Sequence, residues 1–344
     1  MDFRTFITQQ SEQIDSQLAE FLTKQKTEIK NLHPLMEDLF SLVVETNKGG
    51  KRLRALVLKL GYLLGEGKNE NEIVAPMMAV EVFHAAVLAH DDIIDQSPLR
   101  RGKPSLHFAL GNDHHAISQT IVLADYGFFL SQKLLLESKF ENDKKLQATQ
   151  IFTNTVLDTI IGEIIDIEIP FQKIPPQEKE ALTIALLKTA RYTITGPLQM
   201  GYVLSEGDGD LLNDLQKFGD NLGIAFQIQD DILGVFGDQE KMGKSNSSDI
   251  EEGKITLLAA HAFAQADQKQ LSELKRLYGK SKLTDNEIEK VRQIFQKVGS
   301  LDFARASALK YTDSALQVID SLKIDSKWKS FLRNLADLLM KRSN

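Results

Sequence analysis

Two aspartate-rich segments hold the residues best able to do chemistry. The first, Ala79-Val-Glu-Val-Phe-His-Ala-Ala-Val-Leu-Ala-His-Asp-Asp-Ile-Ile-Asp95, is an apolar run that ends in three carboxylates. On a helix Asp91 and Asp95 share a face, and Asp92 lies about 100° round the axis. Three acids at a helix C-terminus repel one another and face the negative end of the macrodipole. A cation relieves both penalties, and all-oxygen ligands favour Mg²⁺ over Zn²⁺. The second segment, Gly223-Ile-Ala-Phe-Gln-Ile-Gln-Asp-Asp-Ile-Leu-Gly234, repeats the design about 140 residues later. Its acids are Asp230 and Asp231, with Gln227 on nearly the same face as Asp230. Gly234 stands where a third acid would complete the pattern. Either segment alone also fits a solvated acidic helix end. Two apolar helices that both run into Asp-Asp fit a clamp for several metal ions better. His90-Asp91 could also be a phosphohydrolase metal pair, but the 7 histidines have no evident arrangement to complete one.

Three basic groups accompany the acids. Gly49-Gly-Lys-Arg-Leu-Arg54 puts a diglycine before a helix, with Lys51 and Arg54 on one side. Free amides at a helix start and two cations suit a phosphate. Pro98-Leu-Arg-Arg-Gly-Lys-Pro104 puts Arg100 and Arg101 in a loop after the first acidic helix. Lys244 and Lys254 follow the second acidic helix. Each group alone reads equally as solvated surface charge. Their alternation with the acids fits two diphosphates, one neutralised by metal and one held by Arg and Lys.

The elements that must position these residues are helices almost throughout. Ile7, Ile14, Leu18, Phe21 and Leu22 recur at helical spacing, as do Leu53, Leu56, Val57, Leu60, Leu63 and Leu64. Gly, Pro and Asn clusters break the chain into ten to twelve expected helices. No linker or repeat divides it, so a single domain over 1–344 is expected, with the two acidic segments as two sides of one site. The 344 residues are 42% hydrophobic and 26% charged, with a formal charge of −7. That balance fits a globular chain and argues against general nucleic-acid binding. The absence of cysteine excludes disulfides, zinc-thiolate sites and a cysteine nucleophile, and is compatible with a cytoplasmic location. The N-terminal stretch lacks the apolar run of a signal peptide, and no segment is long and apolar enough for a transmembrane helix.

The Gly-Gly-Lys-Arg-Leu-Arg, His-Asp-Asp-Ile-Ile-Asp, Arg-Arg-Gly-Lys-Pro and Phe-Gln-Ile-Gln-Asp-Asp-Ile-Leu segments, in this order, resemble the trans-isoprenyl (polyprenyl) diphosphate synthases. The resemblance runs from about Leu39 to Arg342. It implies an all-α fold, a bundle of mostly antiparallel helices round a deep central cavity, and a homodimer. It implies a transferase that condenses isopentenyl diphosphate with an allylic diphosphate primer (dimethylallyl, geranyl or farnesyl). By position, Asp91 and Asp95 resemble the acids that bind two Mg²⁺, with Asp92 in support. Asp230 resembles the ligand of a third, supported by Asp231. Arg100, Lys188 and Lys244 match groups that hold the allylic diphosphate. Lys51, Arg54, His84 and Arg101 match the isopentenyl diphosphate site. Lys188 and Thr189 resemble the family's Lys-Thr pair and, with Gln227, would flank the developing carbocation. Lys254 matches the lysine after the second motif.

Gly234, where many members have Asp, resembles the short-chain, geranylgeranyl-type subgroup and leaves open how the third metal's outer shell is completed. Asp238 is a nearby acid that the sequence cannot place. The growing tail is expected to follow the helix before Asp91, past the small Ala86 and Val87. It would meet Phe83, about 12 Å along the axis, on a stripe shared with Val80. Phe128 and Phe129 are further candidates for the floor. A C20 product is expected, with C15 or C25–C35 as alternatives. A class I terpene cyclase would leave Lys51, Arg54 and Arg101 unexplained. A non-catalytic partner subunit would be expected to have lost its acids. A purely structural bundle would tolerate replacement of Asp91 and Asp230.

Overall fold

The structure, a computed structural model, describes residues 2–207, 209–237 and 247–341. It is all-helical apart from one two-residue hairpin. The chain divides into two compact units, one of residues 1–152 with 197–210 and one of residues 153–196 with 211–344.

The first unit begins with α1 (Phe3–Leu32), capped by Asp2, whose carboxylate accepts from the Thr5 amide. Its buried stripe of Phe6, Gln10, Ile14, Leu18, Leu22, Gln25 and Ile29 has helical periodicity. Then come α2 (Met36–Thr46), α3 (Leu53–Leu64) and α4 (Val74–Ile94). The hairpin β1 (Leu99–Arg100) and β2 (Lys103–Pro104) precedes α5 (Leu106–Ala109), α6 (His114–Leu136) and the start of α7 (Asn142–Phe171). Gly196–Val203, α9 in chain order, belongs to this unit from Pro197 on. Its backbone touches that of α3. A β-carbon on Gly61 would lie 2.0 Å from the Leu198 carbonyl, and one on Gly201 1.9 Å from that of Leu58. Nearly every side chain of α3 is buried, and this fixes the helix that follows the diglycine.

The second unit takes the rest of α7, then α8 (Glu178–Ile184) and a π-helix over Ala185–Thr195. The acidic helix α10 (Leu212–Phe236) lies close against the π-helix. A β-carbon on Gly223 would meet Ala190 Cα at 2.4 Å, and one on Gly219 would meet Thr195 Oγ1 at 2.6 Å. The short α11 (Ser248–Glu252) follows, then α12 (Leu257–Gln265), α13 (Gln268–Leu277), α14 (Asp285–Lys297), α15 (Ser300–Ser321) and α16 (Ser326–Met340). Ile228, Leu258, Leu274, Phe295 and Ala304 belong to one buried core here. Among the described residues no helix is long and apolar enough to cross a membrane.

Candidate active site

In the first unit the apolar run of α4 delivers its acids as expected. Asp91 and Asp92 sit on the last turn and Asp95 is the C-cap, with its amide donating to the Asp91 carbonyl at 2.8 Å. The loop expected at Pro98–Pro104 is instead a hairpin whose turn residues, Arg101 and Gly102, have φ of 54° and 72°. Positive φ at both turn positions is what a type I′ two-residue hairpin requires. The hairpin turns Arg100 back onto the acids. Its Nε donates to Asp92 Oδ1 at 2.8 Å and its Nη2 to Asp91 Oδ2 at 3.1 Å. Burial opposes the guanidinium charge, but the Asp92 and Asp91 carboxylates outweigh it and hold Arg100 above its ordinary value. Asp92 is buried and ion-paired with the Arg100 guanidinium.

Beside these acids lies a cavity of about 540 Å³, with Arg52, Glu81, His84, Arg100 and Arg101 in its wall and Leu42, Leu88 and Leu106 on its apolar side. Burial, then the charges of Arg54, Arg101, Arg100 and Arg52, hold the His84 imidazole well below its ordinary value. A neutral ring ringed by guanidinium groups is an anion site. Arg101 reaches back to the diglycine, donating from Nη1 to the Gly49 carbonyl at 3.0 Å. A β-carbon on Gly50 would lie 3.0 Å from the same guanidinium, so glycine is what admits it. Lys51 does not share a helix side with Arg54. It precedes α3 and is exposed, whereas Arg54 is buried on the first turn. Neither lines the cavity, but Arg52 does.

In the second unit Lys188 and Thr189 lie on the π-helix, a wide turn that recurs at functional sites. Lys188 Nζ is 2.7 Å from Glu163 Oε2 and 2.7 Å from Asp166 Oδ2. On α10, Asp230 is exposed, while Asp231 accepts from Gln227 Nε2 at 2.6 Å. Burial, then the charge of Asp249, pushes the Asp231 carboxyl well above its ordinary value, with Asp230 and Asp166 adding to the shift. Crowded carboxylates of this kind fit a divalent cation. Among the described residues no three His, Asp or Glu side chains stand close enough to hold a metal by themselves. Lys254 Nζ lies 3.2 Å from Glu252 Oε2. Lys244 and Asp238 lie outside the described residues.

Sequence reasoning missed Arg52, Glu81, Glu163, Asp166 and Asp249. A lone Glu in the apolar run before Asp91, and the Gly162-Glu-Ile-Ile-Asp166 string, were the available signals. Of the proposed floor residues, Phe83 packs on Phe128 and Phe152 at centroid distances of 5.5 and 5.2 Å. Phe129 points outward, 73% exposed, and cannot be a floor within this unit.

This all-helical architecture is that of the polyprenyl synthetases. A sequence model of the polyprenyl synthetase family matches residues 34–298, and the chain belongs to that family. It is 31% identical to geranylgeranyl diphosphate synthase of Saccharolobus solfataricus over 86% of this chain and 87% of that one. It is 29% identical to geranylfarnesyl diphosphate synthase of Aeropyrum pernix over 86% and 91%. Among solved structures, geranylgeranyl pyrophosphate synthase of Corynebacterium glutamicum, complexed with isoprenyl diphosphate and magnesium, matches with a TM-score of 0.92 at 27% identity, covering 99% of this chain and all of that one. The chain is a trans-prenyltransferase with the all-α isoprenoid synthase fold, in a Mg-dependent family that elongates allylic diphosphates with isopentenyl diphosphate.

Proposed function

We propose that this chain makes geranylgeranyl diphosphate, working as a cytoplasmic homodimer with three Mg²⁺ ions. Asp91 and Asp95 would hold two of the ions and Asp230 the third, with Asp92 and Asp231 in support. Mg²⁺ supplies neutralisation of the leaving diphosphate. Arg100, Lys188 and Lys244 bind the allylic diphosphate, and Lys254 assists. Lys51, Arg54, His84 and Arg101 bind isopentenyl diphosphate. The allylic C–O bond breaks, the double bond of isopentenyl diphosphate attacks the cation, and a proton passes to the departed diphosphate. Lys188, Thr189 and Gln227 flank the cation, and apolar walls keep water from quenching it.

The cavity walled by His84, Asp92, Arg100 and Arg101 supports this reading most, because guanidinium groups and a neutral imidazole line it beside the acidic end of α4. Exposed apolar side chains on α6 and α7, with Phe129 73% and Phe171 80% exposed, support a partner subunit. Relatives named for C20 synthesis, and Gly234, support the product length. A C25 product is the second reading, favoured by the small Ala86 and Val87. Mass analysis of products from the purified chain with Mg²⁺, isopentenyl diphosphate and each short allylic primer tests both. The expected main product is C20. Failure to lengthen any primer would overturn the activity, and a C25 product only the length.

A further inference from the structure

We infer that Arg52 and Glu81 are positioning residues for isopentenyl diphosphate, a buried pair that fixes the Gly49–Arg54 segment against α4. The inference rests on the proposed function of the cavity they line. Arg52 is the middle cation of Gly-Gly-Lys-Arg-Leu-Arg and is buried, slightly more deeply than Arg54. Its side chain and that of Glu81 are each 4% exposed. The backbone of Arg52 is left-handed, with φ of 48°. A residue with a long side chain adopts that region only where its surroundings enforce it.

The enforcement is visible. Arg52 Nε donates to Asp15 Oδ1 of α1 at 2.5 Å, and Nη2 donates to the Asn47 carbonyl at 2.5 Å. Nη1 reaches Glu81 Oε2 of α4 at 3.4 Å. The other Glu81 oxygen accepts the Ala55 amide, on the first turn of α3, at 3.0 Å. One carboxylate therefore fastens both the loop arginine and the helix that follows it. Glu81 lies one turn before His84 on α4, the helix that ends at Asp91. Arg101 closes the other side through Gly49 and Gly50. The diglycine thus lies between two arginines. Arg52 has its donors committed to the protein and its charge matched by Asp15 and Glu81. Its task is to hold the loop in register with His84 and Arg101. A planar fork that binds three separate elements is a role for arginine and not for lysine.

The test is equilibrium binding of isopentenyl diphosphate alone to the full chain, by calorimetry, for wild type, Arg52→Met, Glu81→Gln, the double variant and Arg52→Lys. Each single variant is expected to weaken binding roughly tenfold or more, with the double variant no weaker than the worse single, because the pair acts as a unit. Arg52→Lys should remain weakened. Affinity for an allylic diphosphate with Mg²⁺ should stay within about twofold, a split that general loss of structure would not produce. Equal weakening of both ligands, additive losses or unchanged affinity would overturn the inference. If Arg52→Met does not fold, Glu81→Gln, which keeps an acceptor for Ala55, carries the test. A wild-type chain that binds no isopentenyl diphosphate would sink the proposed function, and this inference with it. Wild-type binding with indifferent variants would sink the inference alone.

Discussion

A β-carbon on Gly234 would lie 2.2 Å from Oδ2 of Asp249. The place where the second acidic segment lacks its third acid is therefore filled by a carboxylate from α11, close enough to act on Asp231. Gly234→Asp would put a second carboxylate into occupied space, beside a carboxyl already pushed up. We expect a loss of about 1–3 kcal/mol in the metal-free chain at pH 7. The deficit should shrink on acidification, as the crowded acids take up protons, and Asp249→Ser in the same background should restore most of it. Denaturant melts at two pH values read this directly. Unchanged stability of Gly234→Asp would show that the space is not filled.

Asp91→Asn removes a metal-type oxygen but leaves Arg100 its hydrogen bond to Asp92. Turnover should fall about 100- to 1000-fold, the scale for losing one group that stabilises developing charge. The melting temperature should barely move. Near-wild-type turnover would remove Asp91 from the chemistry.

Arg101 lines the cavity and Lys51 stands outside it. Arg101→Ala should therefore weaken isopentenyl diphosphate by about 1.5–3 kcal/mol, as for a lost charge-assisted hydrogen bond, and Lys51→Ala by less. Arg100→Ala should weaken the allylic partner instead. Separate KM values for the two substrates decide it, and equal shifts for both in every variant would contradict the assignment.

His84 gives the anion site a pH signature. Its folded-state pKa is depressed, whereas the unfolded imidazole titrates near its ordinary value of about 6.5. As pH falls below about 6.5 the unfolded chain takes up a proton that the folded chain refuses. The stability linked to His84 is thus complete above that pH and is lost below it, by up to about 1.4 kcal/mol per pH unit. The stability gap between wild type and His84→Gln should narrow from pH 6.5 to 5.5. A constant gap would mean that the ring is not held neutral.

Product length should answer to Phe83 and Ala86. Phe83→Ala removes the ring that packs on Phe128 and Phe152 and should lengthen the product. Ala86 meets α6 where a β-carbon on Gly127 would lie 2.9 Å from its own, beside a void of only about 20 Å³. Ala86→Phe should therefore shorten the product and also cost about 1–3 kcal/mol by overpacking. Chromatography of the released chains gives the first outcome and thermal melts the second. If neither substitution moves the distribution, the tail does not follow α4.

The sequence by itself determined the helical class, both acidic helix ends and the basic segments, because helical periodicity and charge at helix ends are local properties. It also carried the family, through the order of its motifs. Tertiary structure decided the partners. The sequence shows Arg52 as one cation among three, but only the packing of α1, α3 and α4 pairs it with Asp15 and Glu81. Phe128 and Phe129 are equivalent by composition, yet one turns to Phe83 and the other to the surface, because α6 presents only one face to α4. Gly234 reads as a missing acid, and only folding brings Asp249 to the same place. Spacing along a chain fixes which residues share a helix face. Which face meets which depends on long-range packing, and no local pattern encodes that.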